Sequence, residues 1–159
     1  MNLEIDLSRQ RLWLRDRGGA VLAEYPVSCA AKGAGEQMGS NCTPRGRHRI
    51  RARIGAGAPE GTVFVGRRPT GEIYSPALGR EHPGRDWILT RILWLAGLEP
   101  GINRYGAVDT QRRYIYIHGT PDPACLGRPG SHGCVRMANG DLVELFDKVS
   151  VNTPVWLHE

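Results

Sequence analysis

Arg113-Tyr114-Ile115-Tyr116-Ile117-His118-Gly119-Thr120-Pro121 alternates aromatic and β-branched residues, then stops on Gly, Thr and Pro. Such residues pack well on a pleated, half-buried surface, so 113–118 is predicted to be a strand. Its period of two would place Tyr114, Tyr116 and His118 on one face. A Gly- and Pro-rich loop over 119–133 follows. It leads to Ser131-His132-Gly133-Cys134-Val135-Arg136-Met137 and then to a helical period.

The rest of the chain reads in the same way. Residues 2–7, 10–14, 21–29, 45–54, 62–66 and 154–158 are expected strands. Trp87 to Leu95 is almost continuously apolar, broken only by Thr90 and Arg91, and reads as a strand buried on both faces. Arg17-Gly18-Gly19 marks a turn, 31–46 and 55–61 are loops, and 67–86 reads as irregular because Pro and Gly recur through it. One helix is expected over about 140–148. Leu142, Leu145, Phe146 and Val149 repeat at i, i+3, i+4 and i+7, with Asn139 or Asp141 as cap and Glu144 completing a box-like start. The fold class is therefore mainly β with one or two short helices.

Composition agrees. The 159 residues hold 21 Gly and 11 Pro, a share that long helices tolerate poorly. The length suits one domain over 1–159, with a core that needs no disulfide staples. The four cysteines, Cys29, Cys42, Cys125 and Cys134, form no C-x-x-C. Zinc ribbons and thioredoxin-type motifs are thereby disfavoured. Cys29, Cys42 and Cys125 are read as packing residues, with a Cys29–Cys42 disulfide, or an oxidative one at Cys125, left open.

The net charge is +5, and all but Lys32 and Lys148 of the 21 basic residues are Arg. This balance fits either an anionic partner or a GC-rich genome. Five arginines, Arg45, Arg47, Arg49, Arg51 and Arg53, recur at period two. They are expected on one outward, solvated strand face, with an anion platform as the alternative. Arg91, within the buried strand, needs a partner. It is either a structural residue or an anchor for a substrate carboxylate. Nucleic-acid binding is not expected, since no aromatic-basic interleaving accompanies the charge. No apolar run spans a membrane. The N-terminus, Met1-Asn2-Leu3-Glu4-Ile5-Asp6-Leu7, has strand alternation and no secretory pattern. The expectation is a cytoplasmic protein, or a periplasmic one if a signal has been removed.

The chemistry centres on Cys134 and His118. A cysteine after a glycine lets another backbone approach closely, offers nearby amides to a developing oxyanion, and has basic neighbours in His118, His132 and Arg136 to favour the thiolate. A histidine ending a strand is held rigidly enough to act as base, one ring nitrogen facing the thiol and the other a carbonyl. A zinc site from His118, His132, Cys134 and Cys125 would match no standard spacing. No metal or cofactor is expected.

His118-Gly119-Thr120, followed by Cys134 of Ser-His-Gly-Cys-Val-Arg-Met sixteen positions beyond His118, resembles the signature of L,D-transpeptidase catalytic domains of the YkuD type. Cys42-Thr43-Pro44-Arg45-Gly46 resembles that family's Thr-Pro-x-Gly element. The resemblance implies a β-sandwich or barrel-like catalytic fold. It also implies acyl transfer through a cysteine thioester at the L-diamino acid–D-alanine bond of a peptidoglycan tetrapeptide. On matching positions Cys134 would be the nucleophile and His118 the base and later acid. The Gly119 carbonyl would orient His118, and the Gly133 and Cys134 amides would hold the oxyanion, with Tyr116 contributing. Ser131, His132 and Arg136 would shape the substrate pocket, Arg136 toward a stem-peptide carboxylate, while His132 could equally be structural. Carbapenem-type β-lactams would be inhibitors. The shortness of the chain and its N-terminus favour water as acceptor, hence L,D-carboxypeptidase activity in muropeptide recycling. Transpeptidation or D-amino-acid exchange is the alternative.

Overall fold

The computed structural model describes all of Met1–Glu159. Ten strands are present: β1 (Asn2–Asp6), β2 (Arg11–Arg15), β3 (Val21–Ser28), β4 (Gly46–Ile54), β5 (Thr62–Val65), β6 (Arg68–Ile73), β7 (Ile88–Gly97), β8 (Tyr116–Thr120), β9 (Val135–Ala138) and β10 (Pro154–His158). Helix α1 covers Pro76–Glu81, and helix α2 covers Asn139–Lys148.

The strands form one sheet in the order β4-β10-β1-β2-β3-β9-β8-β7-β5-β6, and an extra β4–β7 pairing closes the first eight into a mixed barrel. Closure leaves the β5–β6 hairpin as an extension. It also pairs both edges of the eight-stranded part, leaving β6 as the one edge strand. Only β1–β10 and β8–β9 pair in parallel. The β8–β9 pair matters most: His118 lies opposite Arg136, and Ile117 opposite Val135. It fixes the end of one motif beside the start of the other.

Inward side chains of the barrel strands, such as Leu3, Ile5, Leu12, Leu14, Ile50, Leu93 and Ile117, form one core with Leu142, Leu145 and Phe146 of α2. The helical period thus does what it predicts, burying one face of α2. Its start differs from expectation. Ala138 occupies the cap without a side-chain bond. Asn139 instead accepts from Thr90 Oγ1 at 2.7 Å and donates from Nδ2 to the Thr120 carbonyl at 3.3 Å. It ties α2 to β7 and β8 rather than capping the helix.

Three segments depart from the sequence reading. The span 67–86 is ordered into β6 and α1, the latter capped by Ser75 Oγ accepting from the Leu78 amide at 3.1 Å. The local Pro and Gly mask these elements because Pro76 sits in the first helical turn, where its missing N–H costs nothing. The strand at 113 begins only at Tyr116. Tyr114 has φ +56 and lies in a turn, exposed, so it does not continue the Tyr116–His118 face. Residues 135–138 form β9 rather than a helical approach.

The arginine row of β4 is also divided. A bulge between Ile50 and Ala52 resets the alternation. Arg53 turns onto the Phe146 ring, with its Cζ 4.0 Å from the centroid, and donates to the Phe146 carbonyl. Arg45 precedes the strand and pairs with Glu36 at 3.2 Å and Glu159 at 2.7 Å. Arg47 remains exposed. All four cysteines are free thiols.

Candidate active site

The site is built on the parallel β8–β9 pair and the loop before β9. His118, near the middle of β8, is fully enclosed apart from the cleft it lines. Its Nδ1 lies 2.7 Å from the Gly119 carbonyl oxygen. A carbonyl can only accept, so Nδ1 carries the proton and Nε2 keeps a free lone pair. Burial holds the His118 imidazole below the ordinary histidine range, against the raising effect of the Gly119 bond. The ring is therefore neutral at pH 7, a base in waiting.

The Gly119 position admits no side chain. A Cβ there would lie 2.7 Å from the Leu89 carbonyl oxygen and 3.1 Å from Thr90 Oγ1, and would also collide with Asn139 Oδ1. The crowding comes from a bulge in β7. Leu89 pairs with Gly119 and Ile92 with His118, so Thr90 and Arg91 are extra residues in the ladder. The same bulge decides Arg91. Its guanidinium donates to the Ala58 and Thr90 carbonyls at 2.8 and 2.7 Å and lies over Phe146. The structure does not bring Arg91 to the cleft. Of the two sequence readings, the structural one describes where it is.

The loop before β9 is clamped from two sides. Ser131 is buried; its hydroxyl donates to the Cys134 carbonyl at 2.5 Å and accepts the Gly133 amide at 3.2 Å. Thr43 Oγ1 donates to the Gly133 carbonyl at 2.9 Å while accepting the Ala30 amide. Gly133 has φ +133, a conformation that favours glycine. The Thr-Pro-x-Gly segment thus acts at a distance in sequence to hold the turn that presents Cys134. The Gly133 amide is already bonded to Ser131.

The Cys134 sulfur accepts the Tyr116 amide at 3.3 Å and donates toward the Tyr114 carbonyl at 3.4 Å. Burial pushes the Cys134 thiol up to about 12, outweighing the lowering by the Tyr116 amide, Arg136 and Arg113. The sequence expectation that basic neighbours would favour the thiolate is reversed in the resting site, because desolvation outweighs them. The cleft thus holds a neutral thiol and a neutral imidazole. Alkylation of Cys134 by iodoacetamide, followed by peptide mass spectrometry, should therefore remain slow at pH 7–8 and accelerate only above pH 9. A rate that levels off below pH 7 would contradict this.

Around the pair lies a cleft of about 410 Å³ lined in part by Arg67, Asp86, Tyr116, His132 and Arg136. Arg136 donates to the Gly130 carbonyl and to Asp86, both at 3.2 Å, so part of its charge is held. His132 is exposed on the rim. Three further residues were not singled out in the sequence. Arg67 sits on the β5–β6 turn and donates to the Tyr116 hydroxyl at 3.0 Å, its guanidinium over the Trp94 and Tyr114 rings. Arg113 donates to the Cys42 carbonyl at 2.6 Å. Asp86 follows α1. Gly66-Arg67 between two extended runs was the available hairpin signal for the first; nothing local marked the other two.

Known proteins place this arrangement. The L,D-transpeptidase catalytic domain model matches residues 2–157. The Bacillus subtilis (strain 168) L,D-transpeptidase-type protein YkuD is 40% identical over 47 residues, 30% of this chain and 29% of that protein. Among solved structures, L,D-transpeptidase 3 from Mycobacterium tuberculosis, in complex with a faropenem-derived adduct, is 14% identical with a TM-score of 0.59, over 99% of this chain and 59% of that one. An Enterococcus faecium L,D-transpeptidase cysteine-to-serine mutant is 18% identical with a TM-score of 0.57, over 99% and 49%. The Xylanimonas cellulosilytica L,D-transpeptidase is 22% identical with a TM-score of 0.54, over 98% and 59%. The chain spans about half to three fifths of these solved chains, and at such identities the likeness is one of fold. With the family model covering almost every residue, the chain belongs to the L,D-transpeptidase catalytic domain family.

Proposed function

We propose that the protein is a cysteine acyl-transfer enzyme acting on the L-diamino acid–D-alanine bond of peptidoglycan tetrapeptides, with water as acceptor, hence an L,D-carboxypeptidase. The observation that supports the acyl-transfer chemistry is the cleft shared by Cys134 and His118, with the Nδ1 of His118 locked on Gly119. In the reaction, Cys134 turns its sulfur from the Tyr114 carbonyl toward Nε2 of His118. The imidazole takes the thiol proton as sulfur attacks the substrate carbonyl carbon. The Cys134 amide and the Tyr116 hydroxyl donate to the oxyanion. Burial raises the Tyr116 phenol, so it keeps its proton, and Arg67 binds its oxygen and orients it. As the C–N bond breaks, His118 returns the proton to the leaving amine of D-alanine. Water then gives a proton to His118 and its hydroxide to the thioester carbon, and the sulfur leaves as thiol.

Positive charge in the cleft from Arg67, Arg113 and Arg136, against Asp86 alone, suits a peptide ending in carboxylate. Incubation with a purified tetrapeptide, followed by mass spectrometry, should yield tripeptide and D-alanine. A cross-linked dimer or a D-amino-acid exchange product would instead assign an amine as the acceptor and overturn the hydrolytic reading.

A further inference from the structure

The cleft does not end at Cys134. Arg113, Ile115 and His132 also line a neighbouring depression of about 240 Å³ with Met38, Gly39, Asn41 and Arg112. Arg112 in turn is a wall of a third depression, about 220 Å³, formed over β4 and β7 with Arg49, Arg104, Tyr105 and Asp109. Shared lining residues make the three depressions neighbours, and arginine lines each of them.

The far depression is electrostatically unbalanced. None of Arg49, Arg104 and Arg112 takes part in an ion pair, whereas Arg11, Arg15, Arg45, Arg85 and Arg136 all do. Arg49 has only the neutral Asn152 side chain, at 3.0 Å. Arg104 lies over the Tyr105 ring, 4.6 Å from its centroid, which leaves its N–H edge open. The only acid there, Asp109, accepts the Tyr105 amide at 2.7 Å on one oxygen and the Arg112 amide at 3.0 Å on the other. Its charge stabilises the loop rather than pairing with a guanidinium. Three forked donors around one concavity suit an anion with several terminal oxygens, since one carboxylate satisfies only one fork.

We propose that Arg49, Arg104 and Arg112 form a subsite for a phosphate or diphosphate group carried at the far end of the substrate whose stem peptide enters the Cys134 cleft. The inference rests on the stem-peptide reading above and assigns the substrate class as a diphosphate-linked tetrapeptide. The track between the two sites carries the intervening part of the molecule.

Pyrophosphate titrated calorimetrically at low salt is the direct probe. The unmodified protein should bind it. Arg104→Gln, an exposed change, should weaken binding about tenfold, and the Arg49→Gln/Arg104→Gln pair further, with thermal melts confirming that both variants fold. In steady-state kinetics a nucleoside-diphosphate-linked tetrapeptide should show a KM about tenfold below that of the free tetrapeptide, and the double variant should erase the difference. The free tetrapeptide should be turned over unchanged. Absence of pyrophosphate binding, equal binding by the variants, or equal KM for the two substrates overturns the proposal. Arginine-dependent pyrophosphate binding without turnover of either substrate would instead sink the proposed activity and leave the anion site standing.

Discussion

Cys134→Ala should lower kcat/KM toward a tetrapeptide by roughly 10⁴-fold or more, since no other group in the cleft can form the thioester. His118→Gln should lose about 10³-fold, the contribution of a positioned general base. The two should differ in kind. A carbapenem should add its mass to the unmodified protein and not to Cys134→Ala. His118→Gln should still acquire the adduct slowly above pH 9, where hydroxide replaces imidazole in taking the thiol proton. Because burial depresses the His118 imidazole, the neutral base persists below pH 6.5, and the acid limb of the unmodified enzyme's kcat/KM should fall there rather than at the usual histidine value. Intact-mass and stopped-assay measurements read all of this. Turnover or an adduct in Cys134→Ala would remove the nucleophile assignment.

Gly119→Ala should damage both stability and activity. The methyl group would meet Leu89 and Thr90 of the β7 bulge and displace Asn139, which ties α2 to the barrel. Overpacking of this sort costs about 3 kcal/mol. It should lower Tm by several degrees for a domain of this length. Activity should fall further than stability explains, because the Gly119 carbonyl holds the His118 tautomer. Folded protein, isolated at a temperature below the lowered Tm, should therefore show reduced kcat. A variant with unchanged Tm and kcat would mean that the crowding relaxes without cost.

Much of the barrel was legible because alternation and helical period are local properties of the chain. The strands at 2–7, 10–14, 21–29 and 45–54 and the helix at about 140–148 follow from burying one face against a core. The pairing of His118 with a cysteine sixteen positions later was also legible, since both motifs are short and contiguous. Thr90 and Arg91 were visible as an interruption in an apolar run, but not as a bulge. A bulge exists only relative to the partner strand, and here that partner is β8. The same holds for Arg53, whose direction is set by a register shift against β7. Arg67, Asp86 and Arg113 reach the cleft from segments remote in sequence, where no local pattern points inward.

The sequence by itself determined the mainly β class, the amphipathic helix, and the residue types from which a thiol–imidazole site is made. Tertiary structure alone decided the closure of eight strands through β4–β7, the clamping of Gly133 by Thr43, and the neutral resting state of Cys134 and His118. The physical reason is range. Periodicity and turn chemistry act over a few residues, whereas strand register, desolvation and the meeting of distant side chains depend on which surfaces the closed barrel buries together.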